Sequence, residues 1–135
     1  MTTLALVLFY GYVVTLVVAG GFGMVAAPAD VRLLSRLDPN RLGSTISTAS
    51  LLSQYRFLRA VEMGFGISAL AFRREIFTEM PLARFFFGTM LAGIVARIVG
   101  WVVDGRPYGA HIGFMLYEVV SIVVIVLVIR PPLGF

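Results

Sequence analysis

The chain has 135 residues, of which 59% are hydrophobic and 13% are charged. A soluble domain needs a larger charged fraction at its surface, so this composition indicates an integral membrane protein whose partners include membrane lipids. The net charge of +4 is the excess of eleven scattered arginines over seven acidic residues, a pattern that argues against a nucleic-acid partner. The absence of cysteine excludes disulfides, thiolate metal sites and cysteine nucleophiles.

Four apolar segments are each long enough to cross a bilayer as a helix. Short connections between them make neighbouring helices antiparallel, so the sequence predicts an all-α membrane protein built as a four-helix antiparallel transmembrane bundle. Nothing is left over for a separate globular domain, and we expect one transmembrane domain over 1–135. The predicted spans are 2–27, 46–72, 82–103 and 108–129.

The connections carry their own signals. Residues 28–43 are polar but place Val31, Leu34 and Leu37 on one face, which predicts a short interfacial helix that stops at Pro39. The stretch "DGRP" at 104–107 predicts a tight turn, with Gly105 at its centre and Pro107 in the first turn of the fourth span.

Charge does not settle the membrane orientation. We expect a multi-pass protein of the bacterial inner membrane, with both termini in the cytoplasm. Positive residues normally favour the cytoplasmic side, but here four arginines fall on each side and the rule gives a tie. The two sets are Arg73, Arg74, Arg84 and Arg130 against Arg32, Arg36, Arg41 and Arg106.

Charged residues interrupt the predicted spans in one half of the bilayer only. Arg97 precedes Asp104 by seven residues and His111 precedes Glu118 by seven, so each pair shares a helical face. We expect Arg97 to pair with Glu118, because an unpaired charge at the helix centre costs about 2.5 to 3.5 kcal/mol. A neutral cluster of three arginines and three carboxylates is predicted: Arg56, Arg59, Arg97, Glu62, Asp104 and Glu118.

Each of these residues also has a simpler interpretation. Arg56 can extend to the interface, Asp104 can shape the turn, and His111 can act as an interfacial hydrogen-bonding residue. For Glu62 and Glu118 the alternatives are a structural salt-bridge core, recognition of a polar lipid headgroup, or proton-linked transport. No catalytic set, metal-ligand set or cofactor motif is recognisable.

Small and aromatic residues suggest how the helices pack. Glycines at 64, 66, 88, 93, 100, 109 and 113 allow close helix contact, and those at 20, 21 and 23 either do the same or admit a partner helix. The run Phe85 to Phe87 and the single Trp101 are expected to face lipid or the interface.

The motifs "FLRAVEMGFG", "RIVGWVVDGRP" and "LYEVV" resemble a family of small bacterial four-span proteins of unknown function. The resemblance covers most of the chain from Tyr55 onward. In size and layout the chain is also similar to the LucB-type accessory subunits of mycobacterial Mce lipid importers. This similarity implies that the chain docks beside a permease. The positions that match the family pattern are Arg59, Arg97, Asp104, Gly105, Pro107 and Glu118.

Three functions are compatible with the sequence. The first is a non-enzymatic accessory or modulatory subunit of a larger membrane complex that handles lipid, with other integral membrane subunits as partners. The second is an autonomous small transporter with Glu62 or Glu118 as a proton-linked site. The third, which has the fewest supporting residues, is a membrane enzyme that modifies lipid headgroups.

Overall fold

The computed structural model describes residues 3–41 and 45–133, and within these ranges all the regular secondary structure is helical, joined by short non-helical connections. The described residues of 1–13 and 69–135 form one compact unit, and those of 14–68 form another. Whether the whole chain is a single domain stays a prediction. The helices are α1 (Thr3–Val25), α2 (Ala27–Ser35), a 3₁₀ turn (Pro39–Arg41), α3 (Thr45–Ala71), α4 (Arg73–Thr78), α5 (Met80–Asp104) and α6 (Gly109–Ile129).

Three of these helices, α1, α5 and α6, are long and apolar enough to cross a membrane. They correspond closely to the predicted spans 2–27, 82–103 and 108–129. The remaining predicted span, 46–72, forms α3, which is long enough to cross but carries the charges of Arg56, Arg59 and Glu62. The prediction of a helical protein is therefore confirmed for the described residues, with three candidate spans, and the four-helix transmembrane bundle stays a prediction.

The connection after α1 differs from the prediction. Helix α2 begins at Ala27 and ends at Ser35, before Pro39, because Arg36 adopts a left-handed backbone conformation with a φ of 52°. Its buried face consists of Ala27, Asp30 and Val31, whereas Leu37 is exposed. The predicted apolar face is thus only partly correct, and residues 42 and 43 of the predicted interfacial segment lie outside the described residues.

The predicted turn at 104–107 is present with a later helix start. Helix α5 ends at Asp104, and Gly105 follows with a φ of +95°, a backbone conformation that residues other than glycine rarely adopt. Helix α6 begins at Gly109, so Pro107 lies in the connection and not in the first helical turn. The prediction for Pro107 was wrong by two residues.

Aromatic side chains form the core of the unit made by 1–13 and 69–135. The ring of Phe9 packs against Phe77 and Phe86 with centroid distances of 5.0 and 5.5 Å. Phe86 and Phe87 are both buried, whereas Phe85 is 61% exposed. The expectation that all three phenylalanines face lipid was therefore wrong for two of them, because successive helical residues point in different directions.

Close helix contact in the unit 14–68 occurs at glycines of α1. A Cβ atom added at Gly20 would lie 2.7 Å from both the Arg59 carbonyl oxygen and the Met63 backbone nitrogen of α3. By contrast, a Cβ at Gly64, Gly88 or Gly93 would meet nothing within 4 Å. The helix-packing role predicted for glycines is thus found at Gly20, and the open positions have space for a side chain.

Replacing Gly20 by alanine will destabilise the protein, because the clash is with the α3 backbone and only a helix shift relieves it. We expect a loss of about 1 to 3 kcal/mol, the usual cost of overpacking. Gly64→Ala is the matched control and will be neutral or slightly stabilising. Thermal unfolding of both variants in detergent measures the difference, and equal melting temperatures would contradict this contact.

Candidate functional site

One group of charged residues, the Asp30 cluster (Asp30, Tyr55, Arg59 and Glu62), lies in the unit 14–68. Arg59 Nη2 is 2.8 Å from Asp30 Oδ2, and Arg59 Nη1 is 2.6 Å from Glu62 Oε2. The Tyr55 hydroxyl donates to Asp30 Oδ2 at 2.7 Å and accepts from Arg59 Nη2 at 2.8 Å. One guanidinium is thus held by two carboxylates and a phenol.

The Asp30 cluster is well shielded from solvent. The Asp30 side chain is 2% exposed and that of Arg59 is 12% exposed. Burying either charge alone would be costly, and removal of one partner from a buried ion pair typically costs about 3 to 5 kcal/mol. The cluster therefore ties α2 to α3 strongly.

Sequence analysis predicted the proximity of Arg59 and Glu62 but missed Asp30. Asp30 belongs to a polar connection, where a carboxylate is expected to face water. Its burial follows from the chain reversal after α1, since α2 starts only two residues after α1 ends. Gly23 was an available signal: a Cβ there would collide with the Asp30 carboxylate and would lie 2.6 Å from Arg59 Cγ.

Arg56 has a separate role at the end of α1. Its Nη1 donates to the carbonyl oxygens of Met24 at 2.6 Å and Val25 at 2.8 Å. The last carbonyls of a helix have no partner within the helix, and a cation there also interacts favourably with the helix dipole. Arg56 of α3 therefore caps α1, a contact that the sequence did not indicate.

A second charged pair links α5 and α6 in the other unit. Arg97 Nε donates to Glu118 Oε2 at 3.1 Å, and Arg97 Nη2 donates to Glu118 Oε1 at 3.2 Å. This is the contact that the sequence predicted, and it has the bidentate geometry that a guanidinium and a carboxylate favour. The predicted convergence of all six charged residues into one cluster stays a prediction, because the two groups belong to separate units.

An open cleft of about 360 Å³, the α5–α6 cleft, lies beside this pair. Arg97 lies on one wall, and the cleft extends from there to the turn between the two helices. The lining carries both signs of charge together with an apolar wall, a combination that fits a polar group attached to a hydrocarbon chain. The residues that line it are Arg97, Gly100, Trp101, Asp104, Gly105, Arg106, Pro107, His111, Ile112 and Met115.

The predicted site residues therefore fall into two sets. Arg56, Arg59 and Glu62 lie in the unit 14–68 and are engaged with α1 and α2. The second set belongs to α5, α6 and the turn between them in the other unit. All of its members line the cleft except Glu118, which binds Arg97: Arg97, Asp104, Gly105, Pro107, His111 and Glu118.

Comparison with known proteins gives a family. The family described as "Domain of unknown function (DUF4345)" matches residues 4–129, which is nearly the whole chain, and the chain belongs to it. This agrees with the resemblance to a family of unknown function. No curated protein and no solved structure matches the chain.

Exchange of Arg97 and Glu118 tests the pair between α5 and α6. Each single reversal, Arg97→Glu or Glu118→Arg, places two like charges together and will cost about 3 kcal/mol or more. The double exchange restores opposite charges and will recover much of the loss. Folded yield and melting temperature in detergent measure the recovery; a double variant no better than either single one would contradict direct pairing.

Proposed function

We propose that this member of the DUF4345 family is a non-enzymatic accessory or modulatory subunit of a larger membrane complex that handles lipid. In this proposal the chain crosses a bacterial inner membrane four times as an antiparallel bundle, with α3 as the span that accompanies α1, α5 and α6. At about 1.5 Å per residue, the 27 residues of α3 extend about 40 Å, enough to cross the hydrocarbon core.

The observation that carries the proposal is that the arginine side chains within the helices are bound by other groups of the protein. Arg59 is bound by two carboxylates, Arg97 is bound by both oxygens of Glu118, and Arg56 is bound by two carbonyls. These charges stabilise helix contacts, which is the behaviour expected of a fixed scaffold. A scaffold of this kind suits an accessory subunit better than a catalyst.

The apolar side chains supply the second support. Large hydrophobic residues remain exposed along the candidate spans, among them Val18 of α1, Val102 of α5 and Leu127 of α6. Inside a bilayer such faces are free to contact lipid or the helices of another subunit. They provide the partner surface that an accessory subunit requires.

The α5–α6 cleft supports the connection to lipid. Arg106 suits a phosphate group, Asp104 suits an ammonium group, and Ile112 and Met115 suit a hydrocarbon chain. We name an importer permease as the partner class because the sequence resembles LucB-type subunits of Mce lipid importers in size and layout. A headgroup held in the cleft would then be delivered to, or withheld from, that permease.

Topology follows from the same proposal. With four spans, both termini lie on one side of the membrane, and we place them in the cytoplasm. Reporters that are active only in the cytoplasm will work when fused to either end. Activity only of reporters that require the outer side would contradict this orientation.

Purification of the tagged chain in mild detergent tests the accessory role. We expect stable recovery of a larger complex that contains permease subunits in a fixed ratio. A homo-oligomer without a partner would contradict the proposal. Transport by the purified chain alone in liposomes, abolished by Glu118→Gln in a protein that still folds, would instead support the autonomous transporter.

A further inference from the structure

A second cleft lies at the other end of α5, in the same unit. It has a volume of about 270 Å³ and is formed where α4 meets the first half of α1. Leu6, Phe9 and Phe77 form its apolar wall. Because Phe9 and Phe77 also pack on each other with ring centroids 5.0 Å apart, this wall is part of the aromatic core and is firmly held.

The polar part of this cleft, which we call the α4 cleft, is basic. Arg73 and Arg74 line it and are exposed, and Tyr10 and Thr78 add hydroxyl groups. Among the described residues that line it there is no carboxylate; Glu75 of the same helix is not part of the lining. The α4 cleft thus differs from the α5–α6 cleft, which includes Asp104.

The position of the α4 cleft favours a membrane lipid. Helix α5 has 25 residues and extends about 37 Å, slightly more than the thickness of a hydrocarbon core of about 30 Å. Its two ends therefore lie at opposite headgroup layers when it crosses the bilayer. Arg73 and Arg74 lie seven and six residues before the start of α5, so with α5 across the bilayer they fall near the layer of lipid phosphates.

We propose that the α4 cleft binds an anionic phospholipid, with the phosphate on Arg73 and Arg74 and the start of an acyl chain against Leu6, Phe9 and Phe77. Two guanidinium groups provide charge complementarity for a phosphate that carries no neighbouring ammonium group. The apolar wall favours a lipid over a free phosphate. The proposal does not depend on the accessory role, since it concerns a site within this chain alone.

The test is native mass spectrometry of the purified full chain titrated with phosphatidylglycerol or with phosphatidylcholine. We expect phosphatidylglycerol to bind more tightly. In the double variant R73Q/R74Q its affinity will fall about 30-fold, which corresponds to about 2 kcal/mol, because each arginine near an anionic surface contributes about 1 kcal/mol. The matched control R36Q/R41Q removes the same charge at two exposed positions that line neither cleft, and it will leave tight binding intact.

Further measurements distinguish a lipid site from a site for free phosphate and from nonspecific attraction to positive charge. Glycerol phosphate added in excess will not displace the lipid if the acyl chain contributes, and displacement would show that the site binds free phosphate and overturn the lipid assignment. Equal affinity for the two lipids would overturn it, as would an equal loss in the two double variants. Unchanged melting temperatures will show that R73Q/R74Q acts on binding and not on folding.

Discussion

The buried ion pair between Asp30 and Arg59 is the constraint on which the unit 14–68 depends. An arginine in an apolar helix needs a carboxylate close to it, and α2 supplies one because the chain turns back directly after α1. Gly23 leaves room for both side chains, and Gly20 lets α1 approach the α3 backbone. Charge pairing and close packing therefore require each other: with larger residues at the glycines, the pair could not form.

The other unit combines the same two elements in a different way. Arg97 and Glu118 join α5 to α6, whereas aromatic rings of α1, α4 and α5 fill the interior. At each end of α5 this arrangement leaves an open cleft with arginines at its polar edge. The two clefts differ in charge, since only one includes a carboxylate. In the arrangement we propose, the two clefts lie at opposite headgroup layers and bind lipids of different headgroup chemistry.

A contact could be predicted from the sequence where it depended only on which helical face a residue occupies and on its distance from the connecting turn. Arg97 and Glu118 lie at similar distances from one turn on adjacent helices, so their contact followed from helix geometry. Asp30 could not be placed in this way, because its burial depends on the reversal at Ala26 and on tertiary packing. Phe86 and Phe87 were misjudged for a similar reason: hydrophobicity does not distinguish a residue that faces lipid from one that faces the core.

The central claim is that buried arginine–carboxylate pairs hold the helices together, and a double-mutant cycle on Asp30 and Arg59 tests it most directly. The variants are D30N, R59Q and the double variant, with Asp38 and Arg32, an exposed pair at 3.3 Å, as the control cycle. We predict a coupling energy of about 2 to 3 kcal/mol for the buried pair and at most about 1 kcal/mol for the exposed one. Additive effects of D30N and R59Q on the free energy of unfolding would contradict the claim.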